Sequence, residues 1–328
     1  MREETAMTTD KNLVLLGGAH VHLSDHLAHI EQRGWRVSQV FDRDEARQEA
    51  LCAQLKASRV ALSDLARLDV RGAIVCSETV FHEEDITAAL NAGLPVFVEK
   101  PMAGSAEAAR RCADLACEKG LVLATGYFLR RSAALNYLHE RIARGALGRV
   151  LEARGRFSHD GGYADWLDLD CWMTDPARAC YGGFVDEAVH VIDLLQWLVG
   201  PIASGHAVTG NALGWPVDDH GAALIEFAAP PATGVVEAGW TDSEMRLELD
   251  IVGEAGWARL RAGVLDLGLR GQQKPVESIE LPPLDAGEGV EPFLDTLEGK
   301  DATGLVPPQD AAQVNVLLDA MNLNRGGS

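Results

Sequence analysis

A lysine, an aspartate and a histidine hold the clearest chemistry in this chain. Lys100 sits in Glu99-Lys100-Pro101, directly after the apolar run Val96-Phe97-Val98. Asp186 and His190 follow much later in Asp186-Glu187-Ala188-Val189-His190. Residues four apart share one helix face, so the carboxylate and the imidazole can address the same spot. A lysine at the carboxyl end of a strand stands where open α/β sheets bind ligands. The three together suit alcohol–ketone interconversion: one group holds the oxygen, one moves its proton and one tunes the other two.

The elements that must position them start with βαβ units. The pattern predicts strands at 12–16, 36–41, 73–76, 95–98 and 121–125. Helices are predicted between them at about 21–33, 44–56, 82–92 and 105–119. Such alternation means a parallel sheet, and right-handed crossovers put all strand carboxyl ends on one edge. On that edge Gly17-Gly18 opens a helix whose amides can hold a pyrophosphate. Asp42 ends the second strand, near the ~20-residue offset of an acid that meets the adenosine ribose. An acid there favours NAD; the adjacent Arg43 keeps NADP open. The fingerprint is degraded, because Ala19 and His22 stand where GxGxxG has its second and third glycines.

His20, His22 and His26 invite a metal reading, since two of them lie one helical turn apart. No cysteine or carboxylate set completes a site in the sequence, so no metal is expected.

After residue 128 the pattern turns to short strands at 150–158, 222–227, 234–239, 246–252 and 258–261, a largely antiparallel sheet. A helix at 184–198 carries Asp186 and His190, with the alternative that Asp193 merely satisfies a buried His190. Helices are predicted at 132–143, 291–297 and 309–323, and a tail at 324–328. Tyr181-Gly182-Gly183 before the Asp186 helix would let a ligand approach its start. Two acidic–aromatic stretches, 159–172 (with Tyr163, Asp165, Trp166 and Trp172) and 240–244, suit a polyhydroxylated or amino-bearing sugar, or else an acidic surface loop.

The division is a frayed 1–10, a dinucleotide-binding unit at 11–128 and a substrate-binding and oligomerisation unit at 129–328. The chain has 328 residues, 47% hydrophobic and 24% charged, enough for two real cores. A net charge of −20 argues against nucleic acid or an anionic membrane as partner. After Phe128 acidic side chains are twice as numerous as basic ones, which serves solubility or attracts a cationic substrate. Six cysteines without a CxxC read as reduced thiols of a cytoplasmic protein.

The motifs resemble one family, the Gfo/Idh/MocA oxidoreductases, relatives of glucose–fructose oxidoreductase and inositol dehydrogenase. Pro95-Val96-Phe97-Val98-Glu99-Lys100-Pro101 looks like the family's EKP segment. Trp172-Met173-Thr174-Asp175-Pro176, Gly182-Gly183-Phe184-Val185-Asp186 and His190-Val191-Ile192-Asp193 resemble its tryptophan–aspartate–proline, glycine-rich and DxGxH elements. Ala188 replaces the glycine of DxGxH, and Ser77-Glu78 stands where the family usually has Thr-Pro. The resemblance implies an N-terminal Rossmann domain and a C-terminal α/β domain whose open sheet often forms the interface of a homodimer or homotetramer. It also implies a nicotinamide cofactor and a sugar or cyclitol substrate. Lys100 would bind the reacting oxygen, His190 would act as acid/base and Asp186 would orient substrate or histidine. Expected cofactor contacts are Gly17, Gly18, Ala19, His20, Val21, Asp42, Arg43, Ser77, Glu99 and Lys100. Expected substrate contacts are Lys100, Tyr163, Trp172, Asp186 and His190.

The leading expectation is oxidation of a secondary hydroxyl with NAD on a sugar, amino sugar or cyclitol, in a biosynthetic route such as that to aminoglycosides. The alternatives are an NADPH-dependent keto-sugar reductase and a non-catalytic NAD-binding regulator of the same fold.

Overall fold

The computed structural model describes residues 11–321 apart from 165 and 230. The expected frayed 1–10, the tail 324–328 and Asp165 lie outside the described residues. The first half runs β1 (Asn12–Leu16), α1 (Leu23–Gln32), β2 (Arg36–Phe41), α2 (Glu45–Leu55), β3 (Ser58–Arg59), β4 (Ala73–Val75), α3 (His82–Asn91), β5 (Val96–Val98), α4 (Ala106–Lys119) and β6 (Leu123–Thr125). The strands form one parallel sheet in the order β3-β2-β1-β4-β5-β6. β1, β4 and β5 are buried throughout because helices cover both faces, which is why they read as unbroken apolar runs. Local signals set the helix ends. Asp44 caps α2 by accepting from Ala46 and Arg47, and Ser105 caps α4 by accepting from Ala108. The two-residue β3 escaped the sequence reading, being too short to show a period.

The second half runs α5 (Ala133–Ala143), β7 (Val150–Ser158), α6 (Pro176–Ala179), α7 (Gly183–Val199), β8 (Ile202–Gly210), β9 (His220–Phe227), β10 (Thr233–Gly239), β11 (Arg246–Gly253), β12 (Gly256–Arg261), β13 (Val264–Leu269), β14 (Glu277–Glu280), α8 (Glu291–Leu297) and α9 (Pro308–Ala320). Its eight-stranded sheet has the order β14-β13-β12-β11-β7-β10-β9-β8, antiparallel except for the β7–β10 pair. Strands β8, β13 and β14 were not expected. β8 carries two glycines and outward polar residues, and β14 alternates between exposed and half-buried positions, so neither shows a strong apolar period.

Helix α7 lies on one face of this sheet. A Cβ at Gly155 of β7 would fall 2.4 Å from Val191 Cγ1, so the missing side chain sets how closely helix and sheet approach. The opposite face is open, with Val208 and Leu224 more than two-thirds exposed. Late in the chain, Phe293, Leu294 and Leu297 of α8 enter the core under the first sheet, and α9 packs on α4. Among the described residues no helix is long and apolar enough to cross a membrane.

Candidate functional site

Lys100 leaves the tip of β5 and meets the first turn of α7. Its Nζ lies 2.5 Å from Asp186 Oδ1 and donates to the Asp186 carbonyl oxygen at 3.1 Å. Burial works against a charged lysine here, but the carboxylates of Asp186, Glu187 and Glu99 outweigh it and hold the Lys100 pKa above its ordinary value. Burial likewise opposes the Asp186 carboxylate, and the Lys100 charge with its hydrogen bond holds that pKa low. The pair is therefore ionised. The other Asp186 oxygen accepts the Trp240 indole N–H at 2.9 Å, and Trp240 is itself buried.

His190, one turn further along α7, sits against the rings of Tyr127, Phe128 and Phe157, at centroid distances of 6.0, 4.9 and 5.5 Å. Burial, reinforced by the charge on Lys100, pushes its pKa well below the ordinary histidine value, so it is neutral. Its Nδ1 is buried without a hydrogen-bond partner. Asp193, the group that could have made His190 purely structural, is instead clamped by the Arg130 guanidinium at 2.6 and 2.9 Å. The imidazole is thus left available to a ligand.

Lys100, Asp186 and His190 line one cavity of about 240 Å³, closed also by His22, His159 and Glu187. A narrow recess behind Lys100 and Asp186 is walled by His20 and Trp172. His159 and Glu187 were missed by the sequence reading as a pair. They join across two elements at 3.0 Å, where the Glu187 carboxylate overrides burial and raises the His159 pKa. Trp166 is on the cavity wall, whereas Tyr163 is 67% exposed and is not among its lining residues. The expectation for Gly182-Gly183 also changes. Gly182 does face the recess, but a Cβ on Gly183 would fall 2.6 Å from the Trp240 ring, so this glycine makes room for Trp240 rather than for a ligand.

At the nucleotide edge, Gly17 takes φ +73°, and a Cβ there would fall 2.4 Å from Ser77 Cα. Ala19 and His20 both donate their amides to the Cys76 carbonyl at 3.0 Å. Trp172 donates its indole N–H to the Ala19 carbonyl at 2.9 Å, tying the second domain to this loop. Val21 is exposed at the mouth of the cavity. Asp42 stands at the tip of β2, bonded to the Gly18 amide and to Arg47. Arg43 lies over the Phe81 ring and pairs with Glu84 and Asp85, and Ser77 donates to Asp85 at 2.6 Å.

Glu99 supplies the carboxylate that the sequence did not place beside the histidines. It bonds His26, lies 3.3 Å from His22 Nδ1 and 3.6 Å from His20 Nε2, and accepts the Lys100 amide at 2.8 Å. His20, His22 and Glu99 come close enough to share an ion, which corrects the reason for expecting none. The tautomer argues against an ion instead. His20 Nδ1 accepts the His22 amide, so neutral His20 carries its hydrogen, not its lone pair, on the Nε2 that faces Glu99.

Toward a dinucleotide these residues offer two ends, the acidic one already occupied by the Gly18 amide and Arg47. The Gly17 turn and the start of α1 adjoin Asp42 at one end, and Lys100 and His190 share a cavity at the other.

A parallel Rossmann sheet joined to an open mixed sheet, with a lysine and a histidine facing one cavity, is the arrangement of a two-domain dinucleotide-binding fold. The family model for an oxidoreductase family with an NAD-binding Rossmann fold matches residues 11–127, and that for the GFO/IDH/MocA C-terminal domain matches residues 135–259. The chain belongs to the Gfo/Idh/MocA family. It is 31% identical over 140 residues to a levoglucosan dehydrogenase of Pseudarthrobacter phenanthrenivorans, a match covering 43% of this chain and 36% of that protein. It is 28% identical over 237 residues to a myo-inositol dehydrogenase of Streptomyces leeuwenhoekii, covering 70% of each. The match thus spans little more than a third of the levoglucosan relative's length. In fold, the chain is similar to a solved levoglucosan dehydrogenase in complex with NADH and levoglucosan, with a TM-score of 0.81, 21% identity, and 94% and 95% of the two chains covered.

Proposed function

We propose that this protein oxidises one secondary hydroxyl of a sugar-like or cyclitol substrate to a ketone, using NAD. The observation that carries the reading is the meeting of Lys100, Asp186 and His190 on one cavity wall. The cofactor, when bound, supplies the hydride acceptor; Gly17, Gly18, Asp42 and the start of α1 would hold it, with its reactive end toward Lys100. His190 is neutral and takes the hydroxyl proton. A base with so low a pKa needs an acidified alcohol, and the Lys100 ammonium provides that by stabilising the developing alkoxide. Asp186 keeps Lys100 charged and aimed, and Trp240 fixes Asp186. His159 and Glu187 stand on the same wall, where they can bind further hydroxyls.

An aminated sugar is the finer reading, supported by the Asp25 carboxylate on the cavity wall. Faster turnover of aminated than of neutral sugars, with an advantage that shrinks as salt rises, is the expected outcome. The open face of the eight-stranded sheet is the proposed contact of a homodimer or homotetramer, to be read by light scattering.

The test is a panel of sugars, cyclitols and their aminated forms, assayed for reduction of NAD and of NADP by absorbance. Reduction with at least one substrate, lost in Lys100→Ala, supports the reading. Full turnover by Lys100→Ala would sink it.

A further inference from the structure

Asp42 has no acceptor position left for a ligand. Its Oδ1 receives the Asp44 amide at 2.8 Å and Arg47 Nη2 at 2.8 Å. Its Oδ2 receives the Gly18 amide at 2.8 Å and Arg47 Nε at 2.7 Å. An ionised carboxylate offers about four lone-pair positions, and all four are used. Two belong to backbone amides that the turn fixes in place. The other two belong to one side chain, in the parallel fork that guanidinium and carboxylate favour.

Arg47 also reaches Glu78 Oε1 at 3.1 Å, spanning from α2 to the turn after β4. Beside it Arg43 makes a similar crossing to Glu84 and Asp85, but Arg43 is pinned between the rings of Phe41 and Phe81. The Arg47 side chain is 26% exposed and Asp42's only 1%. Arg47 is therefore the member that can rotate into water, where its charge is hydrated without a partner.

We infer that Arg47 gates the nucleotide end of the fold: paired with Asp42 it blocks the acceptor positions an adenosine ribose needs, and its departure opens them. Arg47 acts through Asp42, as a positioning residue. The inference rests on the reading that Asp42 meets the ribose diol.

The experiment is calorimetric titration of the full chain with ADP-ribose, which has the adenosine ribose but no nicotinamide. Arg47→Ala and Arg47→Gln are expected to bind it about tenfold tighter or more than the unmodified protein, since two hydrogen bonds to a charged acceptor become available. The gain should vanish with 2′,3′-dideoxy-ADP, which lacks the diol. Equal or weaker binding by the folded variants, no binding by either, or the same gain with the dideoxy ligand would overturn the gate. Sugar turnover is scored separately. Tighter ADP-ribose binding without turnover on any sugar removes the dehydrogenase reading and leaves the gate, whereas turnover with unchanged ADP-ribose affinity does the reverse.

Discussion

Lys100 keeps its charge where burial works against it because Asp186 lies 2.5 Å away. Removing either partner alone strands the other. Lys100→Met should cost about 3–5 kcal/mol of stability, as for a buried pair broken on one side. The double variant Lys100→Met/Asp186→Leu should recover most of that loss in urea titrations while remaining inactive. For activity, Lys100→Ala should lower kcat about 10²- to 10³-fold, the usual effect of losing one donor to a developing oxyanion. His190, with a pKa well below the ordinary 6.5, should place its acidic limb in kcat/KM below that value, whereas a limb above it should belong to His159, whose pKa is raised. A limb above pH 6.5 that disappears in His190→Asn would contradict this. The three residues were legible because each belongs to a short contiguous pattern. His159, Glu187 and Trp240 were not legible as partners, since β7, α7 and the end of β10 bring them together only in space. Asp193 shows the same limit from the other side: sequence proximity offered it to His190, and folding gave it to Arg130.

At the scale of elements, α7 holds the site because its first turn is built around a missing side chain. Gly183 allows the Trp240 ring to pass close to the helix and donate to Asp186. Gly183→Ala should push the ring away, costing about 1–3 kcal/mol as an overpacked contact. It should also lower turnover while the far-ultraviolet spectrum stays native. Full activity with unchanged stability would show that the contact is soft. Nearly all the helices and the strands of the Rossmann half were legible, because strands buried on both faces and amphipathic helices have distinct periods. What failed was mostly short or weakly patterned: β3, α6 and β14 offer too few residues and β8 too little alternation.

At the scale of the molecule, the acidic excess of the second half has a use that a charge sum could not reveal. Arg33, at the end of α1, pairs with Glu291, Asp295 and Glu298, while Lys11 and the Trp35 indole reach Glu298. His29 adds Asp285 and Glu291. Part of the acid therefore clamps late chain onto the first domain. Arg33→Ala should cost about 2 kcal/mol, less than a fully buried pair because these groups keep some solvent. The clamp also sets a pH window. Burial opposes the charge on His29, but the two carboxylates raise its pKa, so its contribution is complete below about 6.5 and is lost as pH rises through the folded value. Glu291 is shifted down by His29 and Arg33 against its burial, so its contribution is complete above about 4.5 and is lost as pH falls. Stability contributed by the clamp should peak between about pH 4.5 and 6.5, and the pH dependence should flatten in His29→Gln, as thermal melts across that range would show.

The placement of α8 and α9 bears on how the protein is made. Residues 11–128 leave the ribosome first and would ordinarily fold first. Yet the floor of their sheet is finished by Phe293, Leu294 and Leu297, and α4 is covered by α9. Of the two domains, the one synthesised earlier is thus completed later, and a nascent chain halted before α8 must leave an open greasy face uncovered.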